Sequence, residues 1–399
     1  MTKKKGLRDF QPEGRKVLMR VDFNVPLDAE RNITDETRIT AALPSIRHIL
    51  DGGGSLVLMS HLGRPKGKVD SAYSLRPVAD RLAELMDEPV KFASDTVGPD
   101  AREKAAGLQP GEILLLENLR FNAGETGNDA EFAAGLAVLA DTYVNDAFGT
   151  AHRAHASTEG VTHHFETCRA GFLMEKELES MGALLTKPQR PFVAILGGAK
   201  VAGKVEVILN LLDKVDTLLL GGGMIFTFFK SHGLGIGSSL LDTDSLDVVK
   251  EITARAKDSR AELILPTDCT VATEFNNQAE RKDVMVTDIP ADWMGLDIGP
   301  ASAQRYREVI LGAKTIFWNG PMGVFELPNF AAGTRAVAAA VAEATDGGAF
   351  SVIGGGDSVA AANQFGVGER ISHISTGGGA SLELMGGREL PGVAALSDA

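Results

Sequence analysis

The chain is poor in the features that would place it in several large classes of protein. It has two cysteines, Cys168 and Cys269, far apart and in no CxxC spacing. That excludes a disulfide framework and a redox dithiol, and it points to a reducing, cytoplasmic setting. It has no long hydrophobic run. The longest apolar stretch, 218–229, is broken by three glycines and flanked by Asp216 and Lys230. A membrane helix needs about 20 apolar residues, so no membrane partner is expected. The opening MTKKKGLRDF carries positive charge with no apolar segment behind it, so no secretion signal is expected. It also has no basic domain. The net charge is −13, and a nucleic-acid partner is not expected of such a chain.

The negative balance is even along the chain. Divided at residue 186, the first part carries 22 Lys and Arg against 28 Asp and Glu, and the remainder 18 against 25. Any site for an anionic ligand must therefore be a local convergence of cations rather than a basic surface. Glycine is plentiful, 45 of 399 residues, and its triplets fall at 52–54, 221–223, 354–356 and 377–379. They mostly follow apolar, β-rich runs, as turn and ligand-binding glycines do, rather than sitting in Ser-rich linkers.

At 399 residues the chain exceeds the roughly 250–300 at which a single core stops growing, so two domains are expected. Apolar runs at 16–25, 55–60, 112–116 and 141–144 read as strands of a first domain, and those at 192–196, 217–220, 262–265, 315–318 and 350–353 as strands of a second. Several are continuously apolar, the mark of strands covered on both faces. Between them, 35–50 places Ile39, Leu43, Ile46, Ile49 and Leu50 at helical spacing, and 75–86 reads as another helix. Alternating strand and helix predicts an α/β fold of two Rossmann-like, doubly wound parallel sheets. The boundary falls near 175–191, where a charged helical stretch is followed by TKPQRP.

The polar clusters follow the strands, where open parallel sheets bind ligands. In RVDFNV, an extended backbone turns Arg20, Asp22 and Asn24 to one side and Val21, Phe23 and Val25 to the other. This fits a ligand edge and equally a surface strand with a polar face. HLGRP at 61–65 holds His61 and Arg64 on a turn that Gly63 permits; a capped turn with a solvated arginine is the plainer reading. Arg120 and Arg153 also follow strands. Arg38 falls in the first turns of a helix, where a cation opposes the dipole, and a bound anion would explain it. Any one arginine alone reads as a surface residue. Four placed to converge read as an anion site, since guanidinium matches phosphate and carboxylate geometry.

In the second half, GGAKVAGK begins like a P-loop but places Val205 where a Ser or Thr hydroxyl would hold Mg2+. What survives is a glycine-rich turn offering N–H groups to phosphates, with Lys200 and Lys204 one helical turn apart on a shared face, or simply exposed at a helix start. GGGDS at 354–358 opens another helix, with Asp357 either its N-cap or a metal ligand, and STGGGASLEL at 375–384 opens a third. His152, His155, His163, His164 and Cys168 match no zinc spacing. Serine-hydrolase and protein-kinase signatures are absent.

Taken in order, RVDFNVPL, HLGRP, LLLENLRF, YVNDAFGTAHRAHAST, ILGGAKVAGK, LLLGGGM, WNGPMGVFE, IGGGDS and STGGGASLELMGG resemble the phosphoglycerate kinase family from about residue 16 to the end. The resemblance implies a phosphotransferase with a carboxyl group as acceptor, moving a phosphoryl group reversibly between 1,3-bisphosphoglycerate and MgADP to give 3-phosphoglycerate and MgATP, with domain closure. It implies a 3-phosphoglycerate domain at 1–174 with 386–399 packed back on it, a connecting helix at 175–190 and a nucleotide domain at 191–385. Asp22, Phe23, Asn24, Arg38, His61, Leu62, Gly63, Arg64, Arg120 and Arg153 match the acid-substrate site. Lys204, Gly295, Leu296, Glu326, Gly355, Gly356, Asp357 and Ser358 match the nucleotide site, with Asp357 on Mg2+. Arg38, Lys200 and Lys204 match the catalytic cations. Ser358 stands where the family usually has threonine, and Gly203 where it often has an acidic residue. The resemblance also implies a monomer. Two other readings stand beside it. VIGGGDSVAA resembles the dinucleotide turn of a nucleotide-dependent oxidoreductase, although only 42 residues follow Asp357. A catalytically silent nucleotide-binding protein of the same fold would share every glycine loop.

Overall fold

The structure, a computed structural model, describes residues 2–399. The chain divides into two compact units, Met1–Glu179 with Glu389–Ala399, and Ser180–Arg388. The division falls inside the helix Phe172–Thr186, and the segment that returns to the first unit begins at Glu389.

The first unit holds six parallel strands: β1 Lys16–Arg20, β2 Ser55–Met59, β3 Val90–Phe92, β4 Ile113–Leu115, β5 Thr142–Asn145 and β6 Cys168–Ala170. Their order is β3-β4-β2-β1-β5-β6. From β1 the chain passes to β2 and the edge strand β3, inserts β4 between those two, then crosses to β5 and β6 on the other side, so the switch point lies between β1 and β5. Strand β2, SLVLM, is buried along its whole length. Val21, Phe23 and Val25 join Val17, Met19, Ile39, Ile46 and Leu58 in the core of this unit.

The first expected strand is shorter than the sequence suggests. The β1 ladder ends at Arg20 rather than at 25. Beyond it Val21 N still donates to Met59 O (3.1 Å), but Phe23 N is taken by the side chain of Ser60 (2.9 Å) and Val25 N by Phe23 O (2.8 Å). The alternation of apolar and polar side chains persists without the ladder.

The second unit carries β7 Phe192–Leu196, β8 Thr217–Leu220, β9 Glu262–Ile264, β10 Asp268–Ala272, β11 Arg281–Met285, β12 Met294–Ile298, β13 Thr315–Asn319, β14 Phe350–Ile353 and β15 His373–Ile374. Its main sheet is parallel, in the order β15-β14-β13-β7-β8-β9. Read from β9 this is the 3-2-1-4-5-6 winding of dinucleotide-binding domains, with its switch point between β7 and β13. Strands β10, β11 and β12 form a separate antiparallel sheet that the sequence reading did not expect. RKDVM of β11 is mostly exposed and polar, and β12 contains a glycine and an aspartate, so neither shows the usual strand signal. Trp318 is fully buried at the end of β13 and its Nε1 donates to Gly320 O (2.8 Å), fixing the loop that leaves the switch point.

Candidate functional site

In the first unit the sequence-predicted residues gather at the carboxyl edge of the sheet. Asp22, 6% exposed, pairs with the Arg38 guanidinium. Arg38 is the second residue of the helix Thr37–Asp51, whose first turn carries no acidic residue. The anion that answers this cation is therefore Asp22, within the chain, and an external anion is not required to explain its position. Asn24 accepts from Gly63 N at its Oδ1 (2.8 Å), which leaves its amide protons for a ligand. Gly63 has φ +61, and a Cβ there would run into Tyr73. Arg120 donates from Nη1 to Gly63 O (2.8 Å), so both backbone polar groups of Gly63 are tied.

His61 is 4% exposed and its Nδ1 lies 3.1 Å from Arg20 Nη2. Leu62 is buried, and its carbonyl accepts from Asn118 Nδ2 (2.7 Å). Arg64 and Arg153 are exposed; Arg153 Nε donates to His152 Nε2 (3.0 Å). These cations act on one another. Burial and then the charges of Arg20, Arg153 and Arg64 pull Arg120 down to about 10, against Glu125. Burial, with Arg120, Arg20, Arg153 and His152, pulls His155 down to about 4. Burial and neighbouring like charge each disfavour the charged form, and both act on Arg120. In the sequence Arg20 reads only as one polar residue of a strand edge, because apolar residues flank it.

In the second unit three loops meet backbone to backbone at the switch point. Gly197 N donates to Asn319 O (3.0 Å), Gly198 N to Pro321 O (3.1 Å), Gly222 N to Met322 O (2.9 Å) and Met224 N to Gly198 O (3.1 Å). Gly222 has φ +70, and a Cβ there would sit 2.6 Å from Gly198 O and 2.9 Å from Pro321 O. We expect Gly222→Ala to lower the stability of this unit by at least about 2 kcal/mol, through backbone strain plus displacement of the neighbouring loop. Gly233→Ala, at φ +82 with nothing within 4 Å, is the control and should cost only about 1 kcal/mol. Urea midpoints that shift equally for the two variants would refute the close approach.

Lys204 ends a 3-10 turn, Ala202–Lys204, and its Nζ donates to Asn319 Oδ1. Burial lowers it to about 8, with Asp357 acting in the opposite direction. Lys200 lies in the loop before that turn, exposed, so the helical face expected to be shared with Lys204 does not exist. The GGAK segment stays irregular because its glycines are taken up by the contacts just described, and the α-helix begins only at Val205. Gly355, at φ +94, is the N-cap of the helix Gly356–Gln364. Asp357 sits in the first turn, exposed, so it is not the cap. Ser358 is buried, and its Oγ accepts from Gly320 N (2.5 Å), while Gly354 O accepts from Asn319 Nδ2 (2.8 Å). Asn319 thus joins the Lys204 and Gly354–Ser358 loops. Sequence reasoning placed NGP after a strand but assigned Asn319 no role.

Gly295 and Leu296 lie on β12, away from these loops in sequence. A Cβ at Gly295 would collide with the Phe226 ring, and its N donates to Ser239 Oγ (2.9 Å). Val324 N donates to Leu296 O (2.8 Å), so the segment 320–326 runs from the Ser358 hydroxyl past β12 to the exposed Glu326. Among the described residues, no group of three or more His, Cys, Asp or Glu could hold a metal, and no helix is long and apolar enough to cross a membrane.

Arginines at one sheet edge, and in the other unit a lysine beside glycine loops at a dinucleotide-type switch point, are the groups that a kinase for a small anionic metabolite needs. Comparison with known proteins gives the family. The family model described as phosphoglycerate kinase matches residues 7–388. Phosphoglycerate kinases of Chlorobium chlorochromatii and Chlorobaculum tepidum are each 56% identical over 395 residues, covering 99% of this chain and 100% of the relative. Among solved structures, phosphoglycerate kinase from Coxiella burnetii superposes with a TM-score of 0.89 at 39% identity, and that from Pyrococcus horikoshii with 0.85 at 35%, each covering 98% of both chains. The chain belongs to the phosphoglycerate kinase family. It is a glycolytic phosphotransferase with a nucleotide co-substrate and small-molecule substrates, and the oxidoreductase reading falls.

Proposed function

We propose that the first unit binds 3-phosphoglycerate and its acyl phosphate, that the second binds MgATP and MgADP, and that the phosphoryl group passes in line between them as the units close. The convergence of Arg20, Arg153 and Arg64 on the half-buried Arg120 carries this reading, because a multiply charged anion relieves it. Arg64, Arg120 and Arg153 hold the 3-phosphate. Asp22 and Asn24 orient the hydroxyl and carboxyl end beside His61, with Phe23, Leu62 and Gly63 forming the wall of the site. Arg38 faces the phosphoryl group in flight. On the nucleotide side Lys200 and Lys204 meet the phosphates, Gly355 to Ser358 close around them, Gly295 and Leu296 lie by the adenine, and Glu326 by the ribose.

In the direction of ATP formation, a β-phosphate oxygen of ADP forms the new P–O bond. The bond to the acyl oxygen breaks, and its electron pair leaves on the carboxylate of 3-phosphoglycerate. A carboxylate leaves without a proton, so no general acid is needed, and no side chain acts as nucleophile. Catalysis is positioning plus charge stabilisation, and closing the units excludes water that would hydrolyse the acyl phosphate.

Asp357 fits a magnesium role. It is a single exposed carboxylate on the helix turn next to the phosphate loop, and its charge is felt at Lys204. Nucleotide-bound Mg2+ takes one or two carboxylates plus phosphate and water oxygens rather than a protein cage. When bound it supplies charge neutralisation at the phosphates. The chain acts as a cytoplasmic monomer in this reading.

The test is a coupled assay with 3-phosphoglycerate and ATP. Turnover that chelation of Mg2+ abolishes is expected, and Asp357→Asn should raise the Mg2+ needed for half-maximal rate about tenfold or more. No turnover would favour a silent nucleotide-binding protein. An unchanged Mg2+ requirement in the variant would remove Asp357 from the metal.

A further inference from the structure

Beneath the arginines runs a buried chain of hydrogen bonds that the roles above leave unused. Arg20 is 1% exposed. Its Nε donates to Ser157 Oγ (2.8 Å), its Nη1 to the carbonyl of Val21, and its Nη2 lies 3.1 Å from His61 Nδ1. Ser157 in turn donates from Oγ to Glu125 Oε1 (2.6 Å) and from its backbone N to Glu125 Oε2 (3.0 Å). Glu125 is fully buried. Its other neighbour is His155, whose Nδ1 is 3.7 Å from Oε1, too far for a hydrogen bond.

The direction of every bond in this chain is fixed by chemistry. A guanidinium has donors only and keeps its proton in proteins. Arg20 therefore donates, and His61 Nδ1 accepts. Ser157 accepts from Arg20 and spends its single hydroxyl proton on the Glu125 carboxylate. An imidazole that accepts at Nδ1 is neutral and carries its one proton on Nε2. Glu125 compensates the Arg20 charge at one remove, which is what a buried cation requires, and leaves Arg20 held by the protein rather than by a ligand.

We propose that Arg20 is a positioning residue that locks His61 as the neutral imidazole with Nε2–H offered to the acid substrate. This rests on the assignment of His61 to that substrate's site. The surroundings favour the same state. The groups acting on His61 are Arg20 at the end of β1, Arg120 beyond β4, Arg38 on the helix Thr37–Asp51 and His155 in the 151–158 loop; with burial as the largest cause, all of them press it well below its ordinary value. Asp22 is engaged by Arg38, and Glu125 reaches His61 only through Ser157 and Arg20. A neutral donor gives the substrate a directional hydrogen bond without adding a further cation to an already crowded cluster. Arg20 thereby differs from Arg64, Arg120 and Arg153. It is a clamp on the histidine, and its charge is not offered to phosphate.

The proposal is tested by long-range 1H–15N spectra of the full-length protein labelled in the histidine rings, with His61 assigned through His61→Gln. In the wild type we expect Nδ1 unprotonated and Nε2 protonated, with no titration between about pH 5 and 8. Removing both charges together, in Arg20→Met/Glu125→Gln, avoids stranding a buried carboxylate. In that variant His61 should populate both tautomers, KM for 3-phosphoglycerate should rise about tenfold, and kcat should stay within about twofold. Protonation at Nδ1 in the wild type, or a double variant with an unaltered His61 spectrum, overturns the clamp. If the double variant does not fold, the wild-type spectrum alone decides. A His61→Gln enzyme with unchanged KM for 3-phosphoglycerate overturns the assignment of His61 to the substrate instead, and with it the purpose of the clamp, whatever the spectrum shows.

Discussion

Replacing Arg38 by alanine is expected to lower kcat by about 10²–10³-fold while changing KM for either substrate far less, because a cation that faces only the phosphoryl group in transit contributes only when charge spreads over its equatorial oxygens. The structure adds a reason for the size of the effect. Arg38 is paired with Asp22, which is nearly buried. Alanine therefore removes the proposed transition-state cation and also leaves the Asp22 carboxylate uncompensated. Arg38→Lys retains the charge but not the planar fork, and a loss of about tenfold is expected for it. Arg38→Ala combined with Asp22→Asn separates the two contributions. The double variant should regain whatever binding the stranded carboxylate cost and should not regain kcat. Steady-state kinetics of the three variants against both substrates decide the matter. A kcat for Arg38→Ala close to wild type would sink the role, and a KM effect larger than the kcat effect would move Arg38 into ground-state binding.

Much of the layout was legible in the sequence because the features concerned are local. Continuously apolar runs such as SLVLM and FVAIL can be buried on both faces only in a covered parallel sheet, and the structure buries both completely. Polar and glycine-rich loops after such runs fall at the carboxyl edge by construction. What the sequence hid depends on partners distant in the chain. The pairing of Arg38 with Asp22 spans 16 residues and removes the argument that a helix-start cation implies a bound anion. Arg20 and Glu125 are linked only through Ser157, and nothing about three such residues in three separate segments suggests one network. Asn319 looked like part of a turn, yet its side chain bonds Lys204 on one side and Gly354 on the other. Lys200 was misplaced for a different reason. GGAKVAGK continues into a helix, and periodicity cannot show that the helix starts only at Val205, since backbone contacts among three glycine loops decide it. The antiparallel sheet escaped because β11 is solvent-facing and polar, so it lacks the apolar alternation that marks a strand.

Lys204→Met should move activity and stability in opposite directions. Burial lowers Lys204 to about 8 from 10.5, so its ammonium costs folding free energy at neutral pH. The folded protein binds fewer protons than the unfolded one between those two values, and stability contributed by this group rises as pH climbs through that window. Methionine abolishes the cost at pH 7 and forfeits one hydrogen bond to Asn319, a net gain of about 1 kcal/mol in stability. In its proposed role Lys204 meets the nucleotide phosphates, so the same change should lower kcat about 10²–10³-fold. In the wild type the nucleotide prefers the protonated lysine. KM for MgATP should therefore be flat below pH 8 and rise above it, by up to about tenfold per pH unit. Lys204→Arg keeps its charge across this range, so its KM should lose the pH dependence even where its kcat is reduced. Three measurements bear on this: a urea midpoint at pH 7, kcat, and KM for MgATP between pH 7 and 9. A methionine variant that loses stability in step with activity would make Lys204 a structural residue of the loop cluster. A wild-type KM that does not climb above pH 8 would mean that the lysine keeps its proton and that the burial argument fails.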